Sequence, residues 1–155
     1  MKPKVYVETS VLSYLAARSS RDPVTAGRQL ITRRWWEKER EKYTLVVSEL
    51  VETECGRGDP EVIARRKALL PMVSLFPLNE RILELARLLM APGAVPQKAG
   101  LDAVHIAAAV VEECEYLLTW NFRHIANVRI RREVERILAK HGYNQTTICT
   151  PEELV

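Results

Sequence analysis

Nowhere in this 155-residue sequence does an uninterrupted apolar stretch approach the ~20 residues that a membrane-spanning helix needs. The N-terminal MKPKVYVETS lacks a signal-peptide pattern, so a cytoplasmic protein is expected. Cysteine is scarce: Cys55, Cys114 and Cys149 are odd in number, widely spaced and without a CxxC pair. That excludes a disulfide framework or a zinc site as the reading and leaves buried free thiols in a reducing compartment. Internal repeats, low-complexity tracts and Gly/Ser-rich linkers are absent, so residues 1–155 are expected to form a single domain. Walker-type glycine loops, GxSxG elbows, HExxH and Cys/His pairs are missing too, which removes the mechanisms built on them.

What remains has an ordinary globular composition, 47% hydrophobic and 28% charged. A chain of this length can bury ~70% of the surface its unfolded form exposes, so one sizeable core needs no covalent staples. The formal charge of +3 is weakly basic; it permits an anionic partner such as nucleic acid but does not demonstrate one.

Strand and helix signals alternate. KVYVE, residues 4–8, reads as a short strand, and a helix from about Thr9 carries Val11, Leu12 and Leu15 on one face. Asp22-Pro23 is a cap-plus-proline start for a long helix with Leu30, Ile31 and Trp35 turned inward. TLVV at 44–47 is the second strand, with Ser48 the expected N-cap of a helix over roughly 49–56. Asp59-Pro60 opens another helix, MVSLFPL is a third strand candidate, and Asn79 caps ERILELARLLM. An Ala-rich helix over 102–113 leads into the strand EYLLT, followed by a helical tail. This order predicts an α/β sandwich around a mostly parallel sheet, where ligands bind beyond the carboxyl ends of the strands.

Acidic and amide groups gather at those ends. Glu8 closes the first strand; it either caps the next helix, where Thr9 beside it is the better capping residue, or serves a site. Of the glutamates after the second strand, Glu49 and Glu52 share one helical face, whereas Glu54 shares the apolar face of Leu50 and Val51. A buried carboxylate needs a partner or a metal, which singles out Glu54. Asp102 opens the Ala-rich helix, with His105 one turn on and expected to be a hydrogen-bonded structural histidine. Asn121 follows the last strand by two residues. Three acids and an amide at one sheet edge make an oxygen-rich pocket of the kind that suits Mg²⁺ and metal-assisted phosphodiester hydrolysis.

Together VYVETSVLSYL, VSELVETECGRGDP, GLDAVHIAAAV and YLLTWNFRHIAN resemble the PIN-domain family, with the greatest similarity to VapC-like toxins of type II toxin–antitoxin pairs. Each motif is weak alone; the four in order are fairly specific and span nearly the whole chain. The resemblance implies a PIN-like three-layer α/β sandwich with a central mostly parallel sheet flanked by helices. It also implies a metal-dependent endoribonuclease using Mg²⁺ or Mn²⁺, an antitoxin partner and a homodimer. Carried over by position, it assigns Glu8, Glu54 and Asp102 as metal ligands. Thr9, Ser10 and Thr119 become supporting hydroxyls, and Asn121 falls where a further Asp is usual. Two departures stand out. Glu8 reaches one methylene further than Asp, and Asn121 keeps an acceptor oxygen while losing a charge.

Arg123 and His124, beside Asn121, are candidate phosphate contacts, and Trp120 and Phe122 either stack on an unpaired base or, as expected here, pack in the core. RIRREVERILAK, TRRWWEKEREK and ARRK carry cations interleaved with glutamates, the pattern of solvated helix faces. The alternative to a nuclease is a catalytically weakened PIN-like module that binds RNA or a protein partner.

Overall fold

A computed structural model describes residues 1–155. Strands β1 (Lys4–Val7), β2 (Thr44–Ser48), β3 (Ser74–Phe76), β4 (Tyr116–Leu118) and β5 (Thr147–Cys149) form one sheet in the order β3-β2-β1-β4-β5. Every neighbouring pair is parallel, with Val5 opposite Leu45 on one side and Tyr116 on the other. Parallel strands need crossovers, and seven helices supply and cover them: α1 (Thr9–Ala16), α2 (Pro23–Lys38), α3 (Glu49–Cys55), α4 (Pro60–Leu69), α5 (Glu80–Leu89), α6 (Gly100–Val111) and α7 (Val128–Lys140). This is the expected PIN-like α/β sandwich. No helix is long and apolar enough to cross a membrane.

Helix starts follow local chemistry. The Asp22 carboxylate accepts from Thr25 N at 2.9 Å, Asp59 from Glu61 N at 2.8 Å, and Asn79 from Ile82 N at 3.0 Å, each filling an otherwise orphaned donor. Two caps differ from expectation. Glu8, not Thr9, is the N-cap of α1, its Oε2 accepting from Ser10 N at 3.0 Å. Ser48 stands at the N-cap of α3 but makes no capping bond; its hydroxyl meets the Tyr6 phenol at 2.8 Å. In both places a long-range partner decides the orientation, whereas capping rules weigh only nearest neighbours.

The core occupies both faces of the sheet, so β1 is an uninterrupted buried run, Val5-Tyr6-Val7, rather than an alternating one. Trp35 and Trp36 of α2 are buried, and Trp35 Nε1 donates to Leu154 O at 2.7 Å, fastening the C-terminus. Leu30, expected to face inward, is 55% exposed, because the inward stripe of α2 runs through Gln29, Thr32, Trp35 and Trp36. The three cysteines are buried and unpaired, and burial pushes the Cys55 thiol up to about 11, so it stays protonated at neutral pH. The helical tail after β4 is corrected by β5, whose three residues pair with β4 and complete the sheet.

Candidate functional site

The chain lays β2 and β3 on one side of β1 and then crosses to lay β4 and β5 on the other. The crevice between the carboxyl ends of β1 and β4 is therefore the topological switch point, where a parallel sheet opens a ligand site. A cavity of about 460 Å³ lies there, lined among others by Glu8, Glu54, Asp102, Asn121, Thr9 and Ser10. Five parts of the chain meet in it: the β1–α1 junction with α1, the first half of α2, the last turn of α3, the first turn of α6 and the loop after β4.

Glu8 is only 5% exposed. Besides the Ser10 amide it accepts the hydroxyls of Ser10 and Thr119, both at Oε1. Each hydroxyl also ties the two strand ends together: Ser10 Oγ accepts from Trp120 N, and Thr119 Oγ1 accepts from Asn121 N, both at 2.9 Å. The carboxylate is thereby held in one position by charge-assisted hydrogen bonds.

Glu54 is fastened from the other side. Its Oε1 accepts from Thr9 Oγ1 at 2.6 Å and meets His105 Nε2 at 2.6 Å. His105 is 1% exposed, and its Nδ1 lies 2.7 Å from the Tyr6 phenol, which continues to Ser48. A buried relay from Ser48 through Tyr6 and His105 thus ends on the Glu54 carboxylate. Burial opposes the His105 cation, but the hydrogen bond to Glu54 and the charges of Glu8, Glu54 and Asp102 raise its pKa on balance. Burial likewise opposes ionised Glu54, yet its bonds to His105 and Thr9 hold its carboxyl below the usual range. His105 is the residue that motif reasoning set aside. A histidine three positions after Asp102 on a helix was the available signal, but its contact with Glu54 is long-range.

Asp102 has a different setting. Its Oδ1 accepts from Asn121 Nδ2 at 3.0 Å, and its Oδ2 meets His124 Nδ1 at 3.0 Å. Asn121 Oδ1 accepts from the His124 backbone N–H at 3.1 Å. That bond fixes the amide with its nitrogen toward Asp102, so the oxygen closes the loop instead of facing the acids. His124 also points inward to Asp102, while Arg123 is exposed. Burial, and the nearby charge of Glu8, push the Asp102 carboxyl up despite the neighbouring histidines.

Ligand atoms of Glu8, Glu54 and His105 lie within 4.8 Å of one another. His105 already spends both nitrogens on Tyr6 and Glu54, which suits a residue that orients a ligating carboxylate. Asp102 lines the same cavity but stands outside that three-residue cluster; carboxylate oxygens such as those of Glu8, Glu54 and Asp102 are hard donors of the type that divalent cations prefer.

Of the aromatics after β4, Trp120 packs inside as expected, its Nε1 donating to Thr32 Oγ1 at 2.8 Å, but Phe122 is exposed. No protein-family model matches the sequence, and no curated protein matches it. Solved structures do match. The chain resembles the Mycobacterium tuberculosis toxin VapC20, described as cleaving the sarcin-ricin loop, with a TM-score of 0.59 and 14% identity over 77% of this chain and 91% of that one. It also resembles a chain of VapBC2 from Rickettsia felis, determined bound to a DNA fragment from its promoter, with a TM-score of 0.60 and 12% identity over 95% of this chain and 98% of that one. The fold is that of the VapC toxins.

Proposed function

We propose that the protein is a metal-dependent endoribonuclease of the PIN/VapC type. The observation that carries this reading is the convergence of Glu8, Glu54 and Asp102 on one cavity at the switch point of a VapC-like sheet. Carboxylates so placed repel a phosphodiester, so they suit a substrate that arrives with a cation between. A divalent ion, Mg²⁺ or Mn²⁺, when bound supplies charge neutralisation and Lewis-acid assistance to hydrolysis.

The chain's own residues then act by positioning. Ser10 and Thr119 hold the Glu8 carboxylate, and Thr9 and His105 hold Glu54, so neither acid needs to reorganise on binding. Asn121 and His124 hold Asp102 at the loop side. Arg123, exposed beside them, is left to meet a phosphate of the RNA. By likeness to the Rickettsia complex, an antitoxin is the partner expected of such a chain; a homodimer and a cytoplasmic setting remain the expectations drawn from the sequence.

A second reading is favoured by two contacts. Both oxygens of Asp102 are engaged within the protein, by the Asn121 amide and the His124 imidazole, as would suit a module that binds RNA or a protein without cutting. Incubating the purified protein with a mixed RNA pool in Mg²⁺, in Mn²⁺ and in EDTA separates the two. Metal-dependent cleavage that drops at least ~100-fold in Asp102→Asn supports the nuclease; no cleavage with either ion by either protein supports the binding module.

A further inference from the structure

The loop after β4 carries one feature that the acid site does not use. Phe122 is 40% exposed and follows Asn121, which lines the charged pocket. It is not on a floppy segment: Phe122 N donates to Trp120 O at 2.9 Å, and Asn121 O accepts from both Ile125 N at 3.1 Å and Ala126 N at 2.7 Å. The Arg28 guanidinium lies over its ring, 4.9 Å from the centroid, and 5.6 Å from the Trp120 centroid. Arg28 belongs to α2, between Thr25 and Gln29, both of which line the acidic cavity.

The aromatic contacts continue from the rim into the cavity wall. Phe122 and Trp120 have centroids 6.2 Å apart, and Trp120 meets Tyr14 edge-on at 5.9 Å. Tyr14 itself lines the cavity. An aromatic ring that remains accessible, backed by a buried indole and flanked by a guanidinium, suits an unpaired base next to a phosphate. A base paired in a duplex has no free face to offer it.

We propose that Phe122 and Arg28 form a nucleotide-stacking lip at the mouth of the acid site, selecting single-stranded RNA by stacking one unpaired base on Phe122 while Arg28 meets an adjacent phosphate. The proposal rests on the nuclease reading above for the identity of the polymer. It assigns Phe122 to substrate positioning, a role that buried Trp120 cannot fill.

The test uses the full chain and a single-stranded RNA 12-mer carrying one 2-aminopurine, whose fluorescence is quenched on stacking, titrated in Mg²⁺ and separately in Ca²⁺. Wild type is expected to quench the probe. Phe122→Leu weakens binding about 5- to 100-fold, and Phe122→Trp restores it. Arg28→Gln lowers the slope of log affinity against log salt by about 0.7. A paired 12-mer gains nothing from Phe122. Thermal melting of Phe122→Leu reports that the exposed substitution leaves the fold intact. Equal binding and quenching by Phe122→Leu, or no quenching by wild type, overturns the lip. Cleavage of the RNA pool is scored separately: metal-dependent cutting with Phe122-independent binding leaves the nuclease and removes the lip. Phe122-dependent quenching without cutting under any ion does the reverse.

Discussion

The two halves of the acid pocket are fastened in different ways. On the sheet side, Glu8 and Glu54 are held by the buried Thr9, Thr119 and His105 and the half-buried Ser10, from α1, α6 and the end of β4. On the loop side, Asp102 is held by Asn121 and His124, with the Asp102 and His124 side chains 23% and 21% exposed. Glu54 is itself 24% exposed, but removing His105 or Thr119 on the first side takes a partner from the buried Tyr6 phenol or the buried Glu8 carboxylate. On the second, water can take the partner's place. The sheet side should therefore be expensive to perturb and the loop side, with Asn121, adjustable.

Breaking the sheet side gives the largest effect. His105→Ala leaves Glu54 with Thr9 alone and the Tyr6 phenol with Ser48 alone, and should cost about 3 kcal/mol in urea unfolding; a loss below about 1 kcal/mol would mean that the relay contributes little. Thr119→Val keeps the shape but removes the donor to Glu8 and the acceptor of Asn121 N, and should cost about 2 kcal/mol by the same measurement.

Asn121→Asp sharpens the contrast. It replaces the donor to Asp102 by a like charge, so metal-free stability should fall by about 1 kcal/mol, while the added carboxylate should increase the thermal stabilisation produced by Mn²⁺. An unchanged Mn²⁺ response would place the residue 121 side chain outside the ion's reach. His124→Ala, at a partly exposed position, should cost the least, about 0.5 kcal/mol. If it proves as costly as His105→Ala, the two halves are not different in kind.

The pH dependence of the metal-free protein follows from the sheet side. Glu54 titrates lower in the folded chain than in the unfolded one, so its contribution is present above the ordinary glutamate pKa of about 4.3 and lost as pH falls through the folded value. His105 titrates higher, so its contribution is complete below about 6.5 and lost as pH rises through the folded value. Urea midpoints measured from pH 2 to 9 should thus decline at both ends, the acid decline lying below about pH 4.3, and His105→Ala should remove the alkaline decline. A wild-type curve still rising above neutrality contradicts the sign for His105.

Local rules carried the reading a long way. Asp22, Asp59 and Asn79 announce their helices because a cap is a contact within three residues. Glu54 was legible from helical phase alone, since its neighbours Leu50 and Val51 are buried. The failures share a different cause. β5 is too short to carry a pattern of its own and exists because β4 offers an open edge; Leu30 depends on which stripe of α2 meets the sheet; Ser48 and Glu8 turn to partners that are distant in sequence.

By itself the sequence determined an alternating α/β order, a core large enough to need no cross-links, and acids placed at strand ends, because periodicity, capping and burial energetics act on neighbouring residues. The tertiary structure decided that His105 belongs to Glu54, that Asn121 turns its nitrogen to Asp102, and that Phe122 stays outside while Trp120 goes in. Those choices depend on distances between segments separated by tens of residues, which exist only once the parallel sheet has brought the ends of β1 and β4 together.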